Sequence, residues 1–237
     1  MRILVQKFGG TSLAREEDRQ RVARRVVGAK EAGFSTVVVV SAMGREGDPY
    51  ATDTLLGLVR GIGAETDPRE LDLIASCGEI ISAVIMANTI RAMGHEVCAL
   101  SGGRAGIVTD AHFTDARILR VEPDRVLANL KQGKVVVVAG FQGETEQGDV
   151  TTLGRGGSDT TAAALGAALG AEAIEIFTDV DGIKTADPRL VPEARTLKVI
   201  SYDEISQLAH EGAKVIHPRA VEIAMRNNIP LRIRGTF

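Results

Sequence analysis

Thr36-Val37-Val38-Val39-Val40 is a run of five β-branched residues with no polar alternation. A continuous run of this kind marks a strand buried on both faces, as found in parallel sheets covered by helices. Upstream, Ile3 to Phe8 is a short apolar strand ending in Lys7-Phe8-Gly9-Gly10-Thr11-Ser12. Between the two, a polar helix from about Leu13 to Ala32 places Val22, Val26 and Ala29 on one face and stops at Gly33. Strand, helix and buried strand form a βαβ unit, and hence a parallel sheet.

The same signals recur along the chain. Val97–Leu100, Val135–Val138, Ala173–Phe177 and Leu231–Ile233 read as further strands. Helices are expected from Thr52, over Pro68–Met93, over Pro123–Lys131, near Tyr202–His210 and near Arg219–Asn227. Ile107-Val108 and Ile118-Leu119 suggest a hairpin added to the sheet. No internal repeat, low-complexity tract or linker interrupts the pattern. The expected fold is one α/β domain over residues 1–237, a three-layer α/β/α sandwich with a mostly parallel central sheet.

Composition narrows the function classes. The 237 residues are 44% apolar and 25% charged, ordinary for a globular domain. The net charge of -3 supplies no global basic field for nucleic acid, and 3% aromatic residues without tryptophan provide no stacking platform. Cys77 and Cys98 lie far apart in no C-x-x-C pattern and read as reduced core residues of a cytoplasmic protein. No apolar stretch approaches the roughly 18 residues expected of a membrane helix. The four histidines share no metal-ligand spacing, and His217 before Pro218 reads as a structural hydrogen-bonding residue.

Chemistry-bearing residues gather where strands end. Gly154-Arg155-Gly156-Gly157-Ser158-Asp159-Thr160-Thr161 is a glycine-rich turn that opens an Ala/Leu helix, with Ser158 expected as its N-cap. A helix N-terminus of this kind suits an anion. Lys7 with Gly9 and Gly10, Ser41, Gly140, and Thr178-Asp179 all follow strands, the location at which open α/β sheets bind ligands. The P-loop, dinucleotide and protein-kinase signatures are all missing. Lysines beside glycine turns nonetheless suit phosphoryl transfer, which rests on positioning and charge neutralisation. Glu79, flanked by apolar residues in Ser76-Cys77-Gly78-Glu79-Ile80-Ile81, calls for a partner. The bland readings are a helix-N-terminal acid for Asp159, a solvated side chain for Arg155 and a capping acid for Glu79.

These motifs, with Ala186-Asp187-Pro188-Arg189 and Gly212-Ala213-Lys214-Val215-Ile216-His217-Pro218, resemble the catalytic domain of the aspartokinases, within the amino-acid kinase family. The resemblance spans nearly the whole chain, with the motifs in family order. It implies a carbamate-kinase-like fold and ATP-dependent phosphorylation of the aspartate side chain, the first step towards lysine, threonine and methionine. It implies that Lys7 and Lys214 contact ATP phosphates, with Asp159 beside them in catalysis. Phe8, Gly9, Gly10, Ser41, Thr178, Asp179, Lys184, Asp187, Pro188 and Arg189 complete the expected nucleotide contacts. Thr52, Glu79, Arg155, Ser158 and Asp159 fall at substrate positions, Glu79 facing the ammonium and Arg155 the α-carboxylate. Mg2+ is expected as a bridge between phosphate oxygens without a dedicated protein cage.

Lys184 stands where the family usually carries a tyrosine. The family's proteins also continue into paired ACT regulatory domains. This chain stops where that region would begin, so the expected unit is the catalytic domain alone. The family suggests a homodimer, and a separate regulatory chain stays open. Other acceptors on the same scaffold (glutamate, acetylglutamate, a nucleoside monophosphate) and a non-catalytic nucleotide-binding subunit are the alternatives. Glu79 argues against an N-acetylated substrate, because acetylation removes the ammonium.

Overall fold

The computed structural model describes residues 1–63, 65–180, 182–186, 191, 193–210 and 216–237. In chain order its first elements are β1 (Ile3–Phe8), α1 (Glu16–Glu31), β2 (Ser35–Val40), α2 (Thr52–Arg60), α3 (Pro68–Ala92), β3 (Val97–Leu100), β4 (Ile107–Thr109), β5 (Ile118–Val121) and α4 (Asp124–Lys131). There follow β6 (Val135–Ala139), β7 (Gln142–Glu144), β8 (Val150–Thr152), α5 (Gly157–Leu169), β9 (Ala173–Thr178), α6 (Tyr202–His210), α7 (Pro218–Arg226) and β10 (Leu231–Gly235).

The main sheet runs β10-β9-β1-β2-β6-β3, and every pairing in it is parallel. Its two faces can be read off the valine runs. Val37 and Val39 of β2, with Val136 and Val138 of β6, join Val126 and Leu130 of α4, Leu165 of α5 and Val221 of α7 in one core. Val38 and Val40, with Val135 and Val137, join Val22 and Val26 of α1 and Met86 and Ile90 of α3 in the other. Burying a valine fully is worth roughly 1.5–3 kcal/mol, so neither face of the run tolerates a polar residue. The three-layer expectation is met.

Four local expectations are corrected. The 107–121 hairpin does not extend the main sheet: β4 and β5 pair in a second sheet, ordered β5-β4-β7-β8. Beyond β6 the chain turns at Phe141, whose φ is 67°, and leaves the main sheet as β7, which pairs with β4. Helix α1 starts at Glu16 rather than Leu13, after a 3₁₀ turn at Gly10–Ser12, and Glu16, Glu17 and Asp18 suit its positive N-terminus. Cys77 is exposed rather than in the core. Finally, α3 is long and apolar enough to cross a membrane by composition, but half of its most apolar window is buried within the domain. That helix is apolar because it packs on the sheet.

Candidate active site

Strand alternation decides which way the end of β1 faces. Ile3 and Val5 point into the core beneath α5, and Lys7 follows on that face. Phe8 points to the opposite face, where its fully buried ring stacks on Phe177 at 4.6 Å. Lys7 therefore emerges beside the start of α5, and its Nζ lies 2.7 Å from Asp159 Oδ1, both side chains 13% exposed. Ser41 likewise follows Val39, and its hydroxyl donates to Ser158 Oγ at 3.0 Å.

Ser158 is not the N-cap of α5. Gly156 holds that position, with φ 71° and ψ 13°, and Ser158 is already inside the first turn. A Cβ on Gly156 would lie 2.2 Å from His217 Cγ, so the turn is closed against the start of α7. There His217 caps the helix, its Nδ1 accepting from the Arg219 N–H at 3.4 Å. Burial, with help from the Arg219 charge, lowers the pKa of His217, which keeps that nitrogen available as an acceptor. Gly10 is closed in the same sense, since a Cβ there would sit 2.4 Å from the Ala42 carbonyl.

Glu79 enters from the other layer, on α3. It is 3% exposed, and Oε1 accepts from the Ala42 N–H at 3.0 Å while Oε2 has no hydrogen-bond partner among the described residues. Burial pushes its pKa up to about 8, against the opposing effect of the Ala42 hydrogen bond. A cation brought to Oε2 would reverse that shift.

One cleft of about 670 Å³ gathers Lys7, Gly10, Ser41, Thr52, Glu79, Arg155, Ser158 and Asp159. The Lys7–Asp159 pair joins the end of β1 to the first turn of α5 within it. Thr178 and Asp179, at the end of β9, do not line it; Arg45 does, and reaches Asp179 at 3.2 Å from the rim. Gly9 lies beside Lys7, a Cβ there falling 3.7 Å from Nζ. Lys184 is further out, bridged to Thr196. Phe8 contributes its ring only to the core. Asp187, Pro188, Arg189 and Lys214 lie outside the described residues.

The arrangement combines a lysine at a central strand end, a glycine turn opening a helix, and a buried carboxyl group and an arginine lining the same cleft. Residues 2–235 match the sequence profile of the Amino acid kinase family. The chain belongs to the amino acid kinase family. This kinase-family chain is 54% identical over its whole length to Aspartokinase 1 of Bacillus subtilis, spanning 59% of that protein. Among solved structures, aspartate kinase from Synechocystis superposes with a TM-score of 0.86 at 46% identity, over 99% of this chain and 38% of the other. E. coli aspartokinase III in complex with aspartate and ADP gives 0.84 at 29% identity, over 99% and 62%.

Sequence reasoning passed over several residues that build this amino acid kinase's cleft. Asp72 precedes Glu79 by two helical turns, on the same face of α3, and is buried. A second acid at that spacing in an apolar helix is a signal the sequence carried. Asp115 and Arg219 form a two-contact pair, at 2.9 and 3.2 Å, and Arg219 also donates to the Leu153 carbonyl at 3.1 Å. That pairing spans 104 positions and had no local signature.

Proposed function

We propose that this chain is the catalytic part of an aspartate kinase. It transfers the γ-phosphoryl group of ATP to the side-chain carboxylate of L-aspartate, giving 4-phospho-L-aspartate and ADP. A carboxylate oxygen forms the new bond to phosphorus as the bond to the ADP oxygen breaks. With a side-chain pKa of about 4, aspartate arrives ionised and needs no general base.

The observation that carries the reading is Glu79, a buried carboxyl with one oxygen unpartnered among the described residues, in the same cleft as Arg155 and Lys7. A glutamate partners an ammonium and an arginine grips a carboxylate in bidentate fashion, so this pair selects a free amino acid. The side-chain carboxylate then extends towards Lys7, whose charge meets the transferring phosphoryl group. Lys214 is the second phosphate lysine in this reading. Thr178, Asp179, Lys184 and residues 187–189 hold the nucleotide, and Thr52, Ser158 and Asp159 complete the amino-acid end. Asp159, the carboxylate beside Lys7, would be the residue able to hold a Mg2+ ion arriving with the phosphates, and such an ion would supply charge neutralisation there. Support also comes from the E. coli aspartokinase III structure, solved with aspartate and ADP.

The enzyme works in the cytoplasm, where ATP is available and its two cysteines stay reduced, at the entry to lysine, threonine and methionine synthesis. It acts as a homodimer through the exposed apolar stripe of α3. The stripe comprises Leu73, Cys77, Ile80 and Val84, bounded by Glu70 and Arg91. A two-fold axis between positions 80 and 81 would set the Glu70 of each copy against the Arg91 of the other.

Hydroxylamine trapping tests the activity. With ATP and Mg2+, aspartate should yield the hydroxamate and N-acetylglutamate should not. Hydroxamate from glutamate or acetylglutamate, with none from aspartate, would sink the acceptor assignment.

A further inference from the structure

Asp72 is the second carboxylate that α3 turns towards the cleft, and it is used unlike Glu79. It is 1% exposed, and each of its oxygens is engaged. Oδ1 accepts from the Thr152 hydroxyl at 2.6 Å and from the Thr114 N–H at 3.0 Å. Oδ2 accepts from the Thr152 N–H at 2.8 Å and from the same Thr114 N–H at 2.9 Å. An ionised carboxylate only accepts, so it matches three donors that an asparagine amide would meet partly with N–H groups of its own.

The donors sit at informative places. Thr152 ends β8, and Leu153, Gly154 and Arg155 follow directly. Thr114, with φ 72°, holds the loop carrying Asp115, which pairs with Arg219 across the Leu153 carbonyl. Arg155 itself makes no hydrogen bond or ion pair among the described residues and is exposed. The backbone beneath it therefore sets its position. That backbone is tied to the same rigid helix that carries Glu79.

We propose that Asp72 is a positioning residue and a determinant of acceptor length: by fastening Thr152 and Thr114 to α3, it fixes Arg155 relative to Glu79. The inference rests on the aspartate-kinase reading for the identity of the ligand. Glu79 and Arg155 grip the two charged substituents of one carbon. Holding their spacing constant fixes how far the side-chain carboxylate reaches towards Lys7. One extra methylene, as in glutamate, overshoots; a loosened Arg155 accommodates it.

The test compares Asp72→Asn, Thr152→Val and Thr152→Ser with wild type. Steady-state kinetics give the KM for aspartate and ATP and the aspartate/glutamate selectivity, and hydrogen exchange is followed over residues 153–157. Misplacement of a positioned group by about 1 Å costs on the order of 100-fold. Asp72→Asn is accordingly expected to raise the aspartate KM by about 10- to 100-fold. It should leave the ATP KM within about twofold, lower selectivity against glutamate, and speed exchange at 153–157. Thr152→Val should move the same quantities less, and Thr152→Ser, which keeps the hydroxyl, should stay near wild type. An unchanged aspartate KM and selectivity, or equal rises in both KM values, would overturn the proposal. Should Asp72→Asn fail to fold, the Thr152 pair decides by the same criteria. Absence of aspartate turnover in wild type would count against the activity alone; unchanged exchange at 153–157 would still overturn the positioning role.

Discussion

At the residue scale, Glu79 couples stability to function. Its pKa of about 8 in the folded protein exceeds the ordinary glutamate value of 4.5. Between those two values the native state binds more protons than the unfolded chain, so stability falls as pH rises through this window. The slope from one such group approaches about 1.4 kcal/mol per pH unit, and the contribution is fully present only below the unfolded value. Glu79→Gln removes the coupling while retaining an acceptor for the Ala42 N–H. Thermal unfolding of the unliganded protein should show the variant near wild type at pH 4 and more stable at pH 8, while its aspartate KM rises by about 100-fold or more. In the wild type, binding an ammonium requires the ionised carboxylate, so the aspartate KM should fall from pH 6 to pH 8, by up to about tenfold per unit. A flat profile would separate Glu79 from the ammonium. The residue types at this site were legible in the sequence, and Asp159 was readable both with Lys7 and with the glycine turn. The structure adds the 2.7 Å contact between Lys7 Nζ and Asp159 Oδ1 that joins the two motifs.

At the scale of elements, the turn before α5 is the joint of the site. Gly156 is left-handed, at φ 71°, and its Cβ position is filled by the His217 ring. Gly33, at φ 89° after α1, has open space around its Cβ position. An alanine in the left-handed region costs roughly 1–2 kcal/mol by itself. Gly33→Ala should show that strain only, a modest loss measured by denaturant titration with catalysis intact. Gly156→Ala should lose clearly more stability and most of its turnover, because α7 must also move. Equal losses in the two variants would mean that the start of α7 does not brace the turn. Element types were largely readable from periodicity, since the valine runs alternate between two cores. Strands β7 and β8 were not readable. Each has three residues, too few to show a period; β7 pairs on the edge of β4, and β8 in turn on β7.

At the scale of the molecule, α3 performs three tasks on three faces. It packs Met86 and Ile90 on the sheet, turns Asp72 and Glu79 to the cleft, and exposes Leu73, Ile80 and Val84 at 55%, 39% and 48%. If the exposed stripe is a seam between two copies, Val84→Asp should convert a dimer to a monomer in sedimentation velocity. Unaltered sedimentation of a dimeric variant would place the seam elsewhere. The chain spans about 59% of the length of the Bacillus subtilis relative it matches. By itself the sequence determined the parallel α/β layering, because uninterrupted β-branched runs and helical periods are local properties of a chain. It also determined which residue types collect after the strands. Only the tertiary structure decided which of them meet. Thr152 and Asp72 are 80 positions apart, and Asp115 and Arg219 are 104 apart. Contacts at such separations come from the crossing of layers, and no local pattern encodes them. The turn that carries Arg155 is therefore composed by its sequence and aimed by α3 and α7.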